Sequence, residues 1–221
     1  MLVLASASPR RRELLSQAGF VFDVIASEVP EERGASEGAI PFCARLAREK
    51  AESVFGAHRE RLDRTDKSAK DPLVVIGADT IVVAGPAAGS EILGKPVDAV
   101  DAARMLGLLA GGTHQVMTGV AVVSRVAAEV AVEVTYVTML TPSEAEIAAY
   151  VAGGEPMGKA GAYAIQGYAA RWIPRVQGCY FNVVGLPLAR TSSMVEGMYR
   201  RLRLEDAAAR NASTAQGVVH E

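Results

Sequence analysis

Apolar and polar positions change their spacing repeatedly along this chain, and the changes predict a series of strands and helices. Continuous or alternating apolar residues predict strands, whereas apolar positions that recur every three or four residues predict helices. Strands that alternate with helices are typical of an α/β fold. The predicted strands cover residues 2–5, 20–26, 72–85, 115–125 and 129–140, and the predicted helices cover 9–18, 40–55, 98–112, 141–151 and 187–202.

Polar segments and one capping signal mark boundaries in this series. Residues 60–72, with the sequence ERLDRTDKSAKDP, predict a loop. The sequence TPSE at 141–144 has the form of a helix-capping box, with Pro142 at the first helical position. Residues 204–221 have little periodicity and predict a flexible tail. We therefore expect one domain over residues 1–203.

Three consecutive arginines follow the first strand. Ser8 is a good helix N-cap and Pro9 a good first helical residue, so Arg10, Arg11 and Arg12 fall in the first turn. Cations are disfavoured there by about 0.3–1 kcal/mol each at exposed sites, because helix N-termini carry partial positive charge. One interpretation is three solvated side chains. The other is a phosphate bound at the helix start, although successive side chains point about 100° apart and cannot all face one ligand.

Asp79 interrupts the apolar strand VVIGADTIVV. Burying a carboxylate is costly unless it is paired, hydrogen-bonded or bound to a metal. By strand alternation Asp79 shares a face with Gly77 and Ile81, whereas Thr80 points to the other side. Asp79 is therefore either an acceptor of backbone hydrogen bonds at a bulge, or a metal ligand or general base for an attacking water.

Further candidate residues have weaker signals. Lys50 falls on the apolar stripe of its helix, where it predicts either a snorkelling side chain or a lysine directed into a cleft that holds a polyphosphate. Lys95, beside a turn, and Glu31, in an acidic loop, mean little alone. His114 is expected to be a hydrogen-bonding loop residue and not a ligand.

The segment GGEPMGKAG at 153–161 nearly matches the phosphate-binding pattern of P-loop NTPases. Gly153, Gly158 and Lys159 are correctly spaced. However, Ala160 stands where Ser or Thr would hold magnesium, and a helix instead of a strand precedes the loop. We reject a P-loop for these two reasons.

Composition excludes several classes of protein. The chain has 221 residues, of which 50% are hydrophobic and 22% are charged, with a formal charge of −2. This balance predicts no binding to duplex nucleic acid, and no apolar run approaches the roughly 20 residues that span a bilayer. Cys43 and Cys179 lack metal-ligand spacing and fit a reducing cytoplasm. Met1 leads directly into the first strand, so we expect no signal peptide.

Taken together, seven segments resemble the Maf family of nucleoside triphosphate pyrophosphatases. The resemblance implies hydrolysis of a nucleoside triphosphate to the monophosphate and pyrophosphate, with a divalent cation, Mg²⁺ or Mn²⁺. It also implies an elongated mixed β-sheet with flanking helices and two lobes around a central cleft, often in a homodimer. The segments, in the family's order, are LASASPRRREL, ARLAREKA, VIGADTIVV, LGKP, GGTHQVMTGVAV, GEPMGKAGAYAIQG and NVVGLPL.

The resemblance assigns roles by position. Asp79 matches the family's proton acceptor, and the expected catalytic group is Asp79 with Lys50 and Glu31. Asp79 and Glu31 are the expected metal ligands. The sequence departs from the family pattern at Gly158, where the family usually has Asp. The expected substrate-binding residues are Ser8, Arg10, Arg11 and Lys95 around the phosphates, and Thr80 and Gln166, which match the branch that acts on dTTP and UTP.

Two functions are consistent with these residues. The first is a cytoplasmic dTTP/UTP pyrophosphatase in which water attacks the α-phosphorus without a covalent intermediate. Its partner is then the nucleotide, with no nucleic acid and no membrane. The second is a nucleotide-binding protein linked to septum formation that does not hydrolyse its ligand. Release of pyrophosphate discriminates between them.

Overall fold

A computed structural model describes residues 1–65, 72–85 and 90–217. Seven strands and six helices are found there, with short 3₁₀ turns at Ala160–Ala162 and Tyr168–Trp172. The strands are β1 (Leu2–Leu4), β2 (Asp23–Val24), β3 (Val74–Ala84), β4 (Glu91–Leu93), β5 (Thr113–Ser124), β6 (Ala128–Thr138) and β7 (Arg175–Gln177). The helices are α1 (Pro9–Gln17), α2 (Ala39–Thr65), α3 (Ala99–Leu109), α4 (Glu144–Ala152), α5 (Tyr180–Val184) and α6 (Leu188–Gly217).

All seven strands belong to one mixed sheet. Their order is β2-β1-β3-β5-β6-β7, and β4 also pairs with β3. The β1 strand is parallel to its neighbours β2 and β3, whereas β4, β5, β6 and β7 form antiparallel pairs. The predicted α/β class, with a mixed sheet and flanking helices, is confirmed, as is the hairpin of β5 and β6.

One edge of β3 is interrupted. The β5 strand covers the opposite edge along residues 74–83. On the interrupted edge, β1 pairs with residues 74–76 and β4 pairs with residues 82–84. Between β1 and β4, residues 77–81 have no strand partner on this edge within the described part of the chain. Side chains on both faces of β3 can therefore reach the same opening.

The α2 helix lies directly on one face of this sheet. A Cβ atom built at Gly77 would lie 2.2 Å from the carbonyl oxygen of Ala47, and one at Gly119 would lie 2.3 Å from that of Cys43. Both positions therefore require glycine. The Cys43 thiol also accepts a hydrogen bond from the Gly119 amide at 2.8 Å. The contact fixes α2 at backbone-to-backbone distance from β3 and β5.

The other face of the sheet carries the largest hydrophobic core. Residues of β3 at alternate positions, such as Ile76 and Val82, face this core, whereas Val75 and Ile81 face α2. Period-two alternation along β3 thus separates two packed layers. The helices contribute buried side chains to the larger core, namely Leu14, Leu15, Met105, Leu106, Tyr150, Met198 and Leu202.

Several predicted boundaries were wrong. The second strand is short, Asp23–Val24 instead of residues 20–26. The α2 helix continues to Thr65, so the first part of the predicted loop at 60–72 is helical, while residues 66–71 lie outside the described residues. His114 lies on β5 and not in a loop, because β5 begins at Thr113.

The capping box of α4 lies two residues later than predicted. Ser143, and not Thr141, is the N-cap: its hydroxyl accepts a hydrogen bond from the Glu146 amide at 3.3 Å. The Glu146 carboxylate accepts in return from the Ser143 amide at 2.9 Å. Both TPSE and SEAE have capping-box spacing, and the reciprocal bonds form at the second.

The last helix is also longer than predicted. We expected it to end near Leu202, but α6 continues to Gly217, so the segment expected to be a flexible tail is helical up to that residue. Arg125, in the turn between β5 and β6, forms ion pairs with Glu205 and Asp206. These pairs and the alanines at 207–209 favour the extension. Among the described residues, no helix combines the length and hydrophobicity that a membrane span requires.

The contact between α2 and the sheet can be tested by adding one methyl group. We expect Gly119→Ala to lower the free energy of unfolding by about 1–3 kcal/mol, the typical cost of overpacking, because the Cβ meets the Cys43 carbonyl at 2.3 Å. Gly56→Ala is the matched control: it lies in α2 with no atom within 4 Å of the added Cβ. It should leave stability unchanged or raise it by up to about 1 kcal/mol. Equal urea midpoints for both variants would contradict the close approach.

Candidate active site

The interruption in the sheet edge opens into a cleft of about 420 Å³. This volume is within the range of roughly 300–1,000 Å³ that is usual for small-molecule sites. All nine residues that the sequence singled out as site residues line the cleft, although they come from six separate segments. They are Ser8, Arg10, Arg11, Glu31, Lys50, Asp79, Thr80, Lys95 and Gln166.

The start of α1 forms one wall. Ser8 is the N-cap, as predicted, and its hydroxyl accepts from the Arg11 amide at 3.5 Å. Arg10 and Arg11 line the cleft, whereas Arg12 is exposed and lies outside the lining. The 100° spacing of helical residues explains why the three side chains diverge.

Arg11 is held firmly by the protein. Its Nε donates to the Gly185 carbonyl at 2.9 Å, Nη1 to the Ser6 hydroxyl at 3.1 Å and Nη2 to the Thr80 hydroxyl at 3.0 Å. Burial lowers the pKa of Arg11, and the negative charge of Asp79 opposes that shift. Arg11 therefore joins α1 to β3 and to the residue that follows α5.

Four charged side chains of alternating sign form a second part of the lining. Lys50 Nζ donates to Asp79 Oδ1 at 2.7 Å and to Glu31 Oε1 at 2.7 Å. Lys95 Nζ donates to Glu31 Oε2 at 2.9 Å. The Lys50 and Asp79 side chains are each only 8% exposed, whereas Glu31 and Lys95 are partly exposed. Asp79 is therefore a paired carboxylate on the α2 face, where alternation predicted it.

The charges around Glu31 affect its protonation. Burial raises the pKa of Glu31, but hydrogen bonds from Lys50 and Lys95 outweigh it and hold the pKa at about 2. Glu31 is therefore ionised at neutral pH and connects the buried lysine to the exposed one.

Thr80 faces the other side of the sheet and begins a chain of hydrogen bonds. Its hydroxyl lies 2.9 Å from the Thr118 hydroxyl, which donates to the Asn182 carbonyl at 3.1 Å. The Asn182 side chain is fully buried and donates to the Thr135 hydroxyl at 2.9 Å. Thr80, with Arg11 on its other side, is therefore held in one orientation at the cleft.

Lys159 was missed as a site residue. It was considered only as part of the rejected P-loop pattern, yet it lines the cleft, and its Nζ donates to the Glu155 carbonyl. Burial and the nearby charge of Arg10 lower the pKa of Lys159. Adjacent Gly158 has a φ of +72°, which glycine adopts without strain. The sequence feature that could have pointed to Lys159 as a site residue is its place in a glycine-rich segment.

His114 is a buried ring that contacts the cleft wall. It is 2% exposed, and its Nε2 lies 2.8 Å from the hydroxyl of Tyr163, which lines the cleft. Burial lowers the pKa of His114 to about 4, so the ring is neutral near pH 7. Its structural position is therefore behind the cleft wall.

Among the described residues that line the cleft, Glu31 and Asp79 are the two that carry carboxylates. No group of three or more His, Cys, Asp or Glu side chains suited to a metal occurs in residues 1–65, 72–85 and 90–217. Glu31 and Asp79 both bind the Lys50 ammonium at 2.7 Å, so their carboxylates lie near each other. A cation held there would need further ligands from water or from substrate.

The fold and the cleft define an α/β protein with a charged small-molecule site at an interrupted sheet edge. The model of a family described as "Maf-like protein" matches residues 1–198. The chain belongs to the Maf family.

Three relatives illustrate how extensive the similarity is, and each is named dTTP/UTP pyrophosphatase. The relative from Koribacter versatilis is 48% identical over 195 residues, which cover 88% of this chain and 92% of the relative. The one from Vibrio cholerae is 46% identical over 194 residues, 88% of this chain and 96% of the relative. The one from Geobacter sulfurreducens is 49% identical over 189 residues, 85% of this chain and 91% of the relative.

The ion pairs of Glu31 make stability depend on pH. The pKa of Glu31 falls from an ordinary 4.5 to about 2 on folding. Its contribution to stability is therefore present above pH 4.5 and is lost as the pH falls through 2. We expect Glu31→Gln to be less stable than the wild type at neutral pH, with a difference that shrinks below pH 4.5.

Urea denaturation of both proteins from about pH 7 to about pH 3 measures this difference. Glu32→Gln, at the exposed neighbouring position, is the matched control and should show no such trend. A difference that stays constant over the whole range would rule out the ion-pair explanation.

Proposed function

We propose that this protein hydrolyses dTTP and UTP to the monophosphate and pyrophosphate. The names of relatives that are 45–49% identical over most of the chain support this function. The structural observation that carries it is the pairing of buried Asp79 with Lys50 at 2.7 Å in a cleft that also contains Arg10, Lys95 and Lys159.

The cations are suited to a polyphosphate. Arg10, Lys95 and Lys159 come from three separate segments and line the same cleft. A nucleoside triphosphate carries several negative charges, which would relieve the mutual repulsion of these side chains. Preorganised cations of this kind also stabilise the charge that develops on phosphate oxygens in the transition state. The cluster therefore favours binding and hydrolysis of the same ligand.

Asp79 is the proposed general base. Its carboxylate orients a water and takes a proton from it as the water oxygen bonds to the α-phosphorus. The bond between the α-phosphorus and the oxygen bridging to the β-phosphorus breaks, and pyrophosphate leaves with the electron pair. Lys50 orients the Asp79 carboxylate through the 2.7 Å contact. No serine or cysteine nucleophile is needed, so we propose no covalent intermediate.

The carboxylates of Glu31 and Asp79 fit Mg²⁺ or Mn²⁺, which prefer oxygen ligands. One or two carboxylates with phosphate oxygens and water are a usual ligand set for Mg²⁺. We propose these two residues as the metal ligands. A bound cation would supply charge neutralisation on the phosphates.

Thr80 and Gln166 are the proposed base-reading residues. A hydroxyl and an amide can both donate and accept, which suits the Watson–Crick edge of uracil or thymine. Both side chains line the cleft, Thr80 from β3 and Gln166 from a turn near residue 165.

The setting of the reaction follows from its substrate. We propose that residues 1–203 form one catalytic domain that acts in the cytoplasm, where nucleoside triphosphates occur, and that it assembles as a homodimer. The free thiols of Cys43 and Cys179 are compatible with that reducing compartment. Nucleic acid and membranes have no part in the proposed reaction.

Product analysis tests the proposal directly. We expect incubation with Mg²⁺ and dTTP or UTP to release pyrophosphate, with both preferred over CTP and 7-methyl-GTP. Release of orthophosphate would contradict attack at the α-phosphorus. Binding without hydrolysis would favour the nucleotide-binding protein linked to septum formation, and a preference for 7-methyl-GTP would contradict the roles of Thr80 and Gln166.

Replacing the general base should separate catalysis from binding. We expect Asp79→Asn to lower kcat by at least about 10²-fold, in line with the usual contribution of general-base catalysis, while nucleotide still binds. Isothermal titration with UTP and a pyrophosphate-release assay measure the two effects. Asp23→Asn, on the exposed strand β2, is the control and should keep full activity. Full activity in Asp79→Asn would remove Asp79 from the mechanism.

A further inference from the structure

We propose that Tyr150 and Glu155 are positioning residues that fix the turn bearing Gln166 and thereby set the selectivity for the pyrimidine base. The proposal rests on the proposed function of the cleft. Neither side chain is among the residues that line the cleft, so both act through Gln166.

Gln166 lies at the tip of a tight turn. The Gly167 amide donates to the Ala164 carbonyl at 3.0 Å, which leaves Ile165 and Gln166 as the two central residues. Both central residues line the cleft. The direction of the Gln166 side chain therefore depends on how the two ends of this turn are held.

Tyr150 and Glu155 hold both ends. The Tyr150 hydroxyl accepts from the Ala164 amide at 3.2 Å and donates to Glu155 Oε1 at 2.9 Å. The Glu155 carboxylate accepts from the Tyr168 amide, at 3.1 Å on Oε1 and 3.2 Å on Oε2. One hydroxyl and one carboxylate, themselves hydrogen-bonded, thus clamp the residues that flank the turn.

Burial of Tyr150 and the absence of a side chain at Gly167 both favour these hydrogen bonds. Tyr150 lies on α4, is 5% exposed and packs edge-on against Trp172 at a centroid distance of 5.2 Å. Burial and the Glu155 carboxylate raise the pKa of Tyr150, so its hydroxyl stays protonated and remains a donor. A Cβ atom on Gly167 would lie 2.0 Å from Glu155 Oε1. Glycine at 167 therefore makes room for the carboxylate.

A fixed turn matters for an amide that reads a base. A glutamine amide offers a carbonyl on one side and an NH₂ group on the other, so a freely rotating one satisfies uracil and cytosine alike. Discrimination requires that its position and orientation be set before the base arrives. Misplacement of a binding group by about 1 Å can cost about 10²-fold in rate. The clamp supplies that constraint without touching the nucleotide.

The test removes one oxygen atom. We expect Tyr150→Phe to lower kcat/KM for UTP by about 10-fold, mainly through KM, with little change for CTP, so that the UTP-to-CTP ratio falls by a similar factor. Tyr168→Phe is the matched control, because Tyr168 belongs to the same aromatic cluster but its hydroxyl bonds to Arg171. This control should keep the wild-type ratio.

Two further variants separate positioning from general destabilisation. Gly167→Ala displaces the Glu155 carboxylate while keeping both clamp residues, and it should lower the UTP-to-CTP ratio in the same way. In a Gln166→Ala background, adding Tyr150→Phe should cause no further loss of selectivity. If Tyr150→Phe does not fold, Gly167→Ala and its combination with Gln166→Ala decide the question.

The outcomes are distinct. An unchanged UTP-to-CTP ratio in Tyr150→Phe or in Gly167→Ala, with wild-type activity intact, would overturn the positioning role alone. The positioning role would also be overturned if adding Tyr150→Phe to Gln166→Ala lowered the UTP-to-CTP ratio as much as Tyr150→Phe does alone. A wild-type protein that releases no pyrophosphate from UTP would overturn the proposed function and this inference with it.

Discussion

The site depends on the direct contact between the α2 backbone and the sheet. Glycines at 77 and 119 leave no side chain between the helix and strands β3 and β5, since a Cβ atom at either would lie within 2.3 Å of a carbonyl oxygen. Lys50 on α2 therefore reaches Asp79 on β3 at 2.7 Å. Removing one partner of a buried ion pair typically costs about 3–5 kcal/mol. Backbone packing thus determines where the buried charge pair forms.

The pair is the inner end of a longer series of charges that runs from Asp79 through Lys50 and Glu31 to Lys95. Each charge in this series has an opposite neighbour, so the four side chains are neutral as a set, whereas Arg10, Arg11 and Lys159 give the cleft lining an excess of positive charge. In the proposed reaction, an incoming triphosphate would exchange some of these contacts for its own.

Sequence periodicity predicted the fold class, the hairpin and the opposite orientations of Asp79 and Thr80, because strand alternation is a local property. It did not predict the cap at Ser143, since two overlapping segments have capping-box spacing and the reciprocal bonds form only at the second. The extension of α6 depends on ion pairs with distant Arg125. The proposed positioning role of Tyr150 could not be predicted either, because the hydrogen bond from the Ala164 amide to its hydroxyl joins residues 14 positions apart.

The interrupted edge of β3 has an evolutionary consequence. Asp79 and Thr80 are neighbours in sequence, yet they project from opposite faces of the sheet into the same opening, with different partners behind each of them. With the proposed base-reading role of Thr80, substitutions around it would alter which base is accepted while Asp79 keeps its ion pair with Lys50. Under the proposed roles, this separation would allow substrate choice to change while the hydrolytic chemistry is kept.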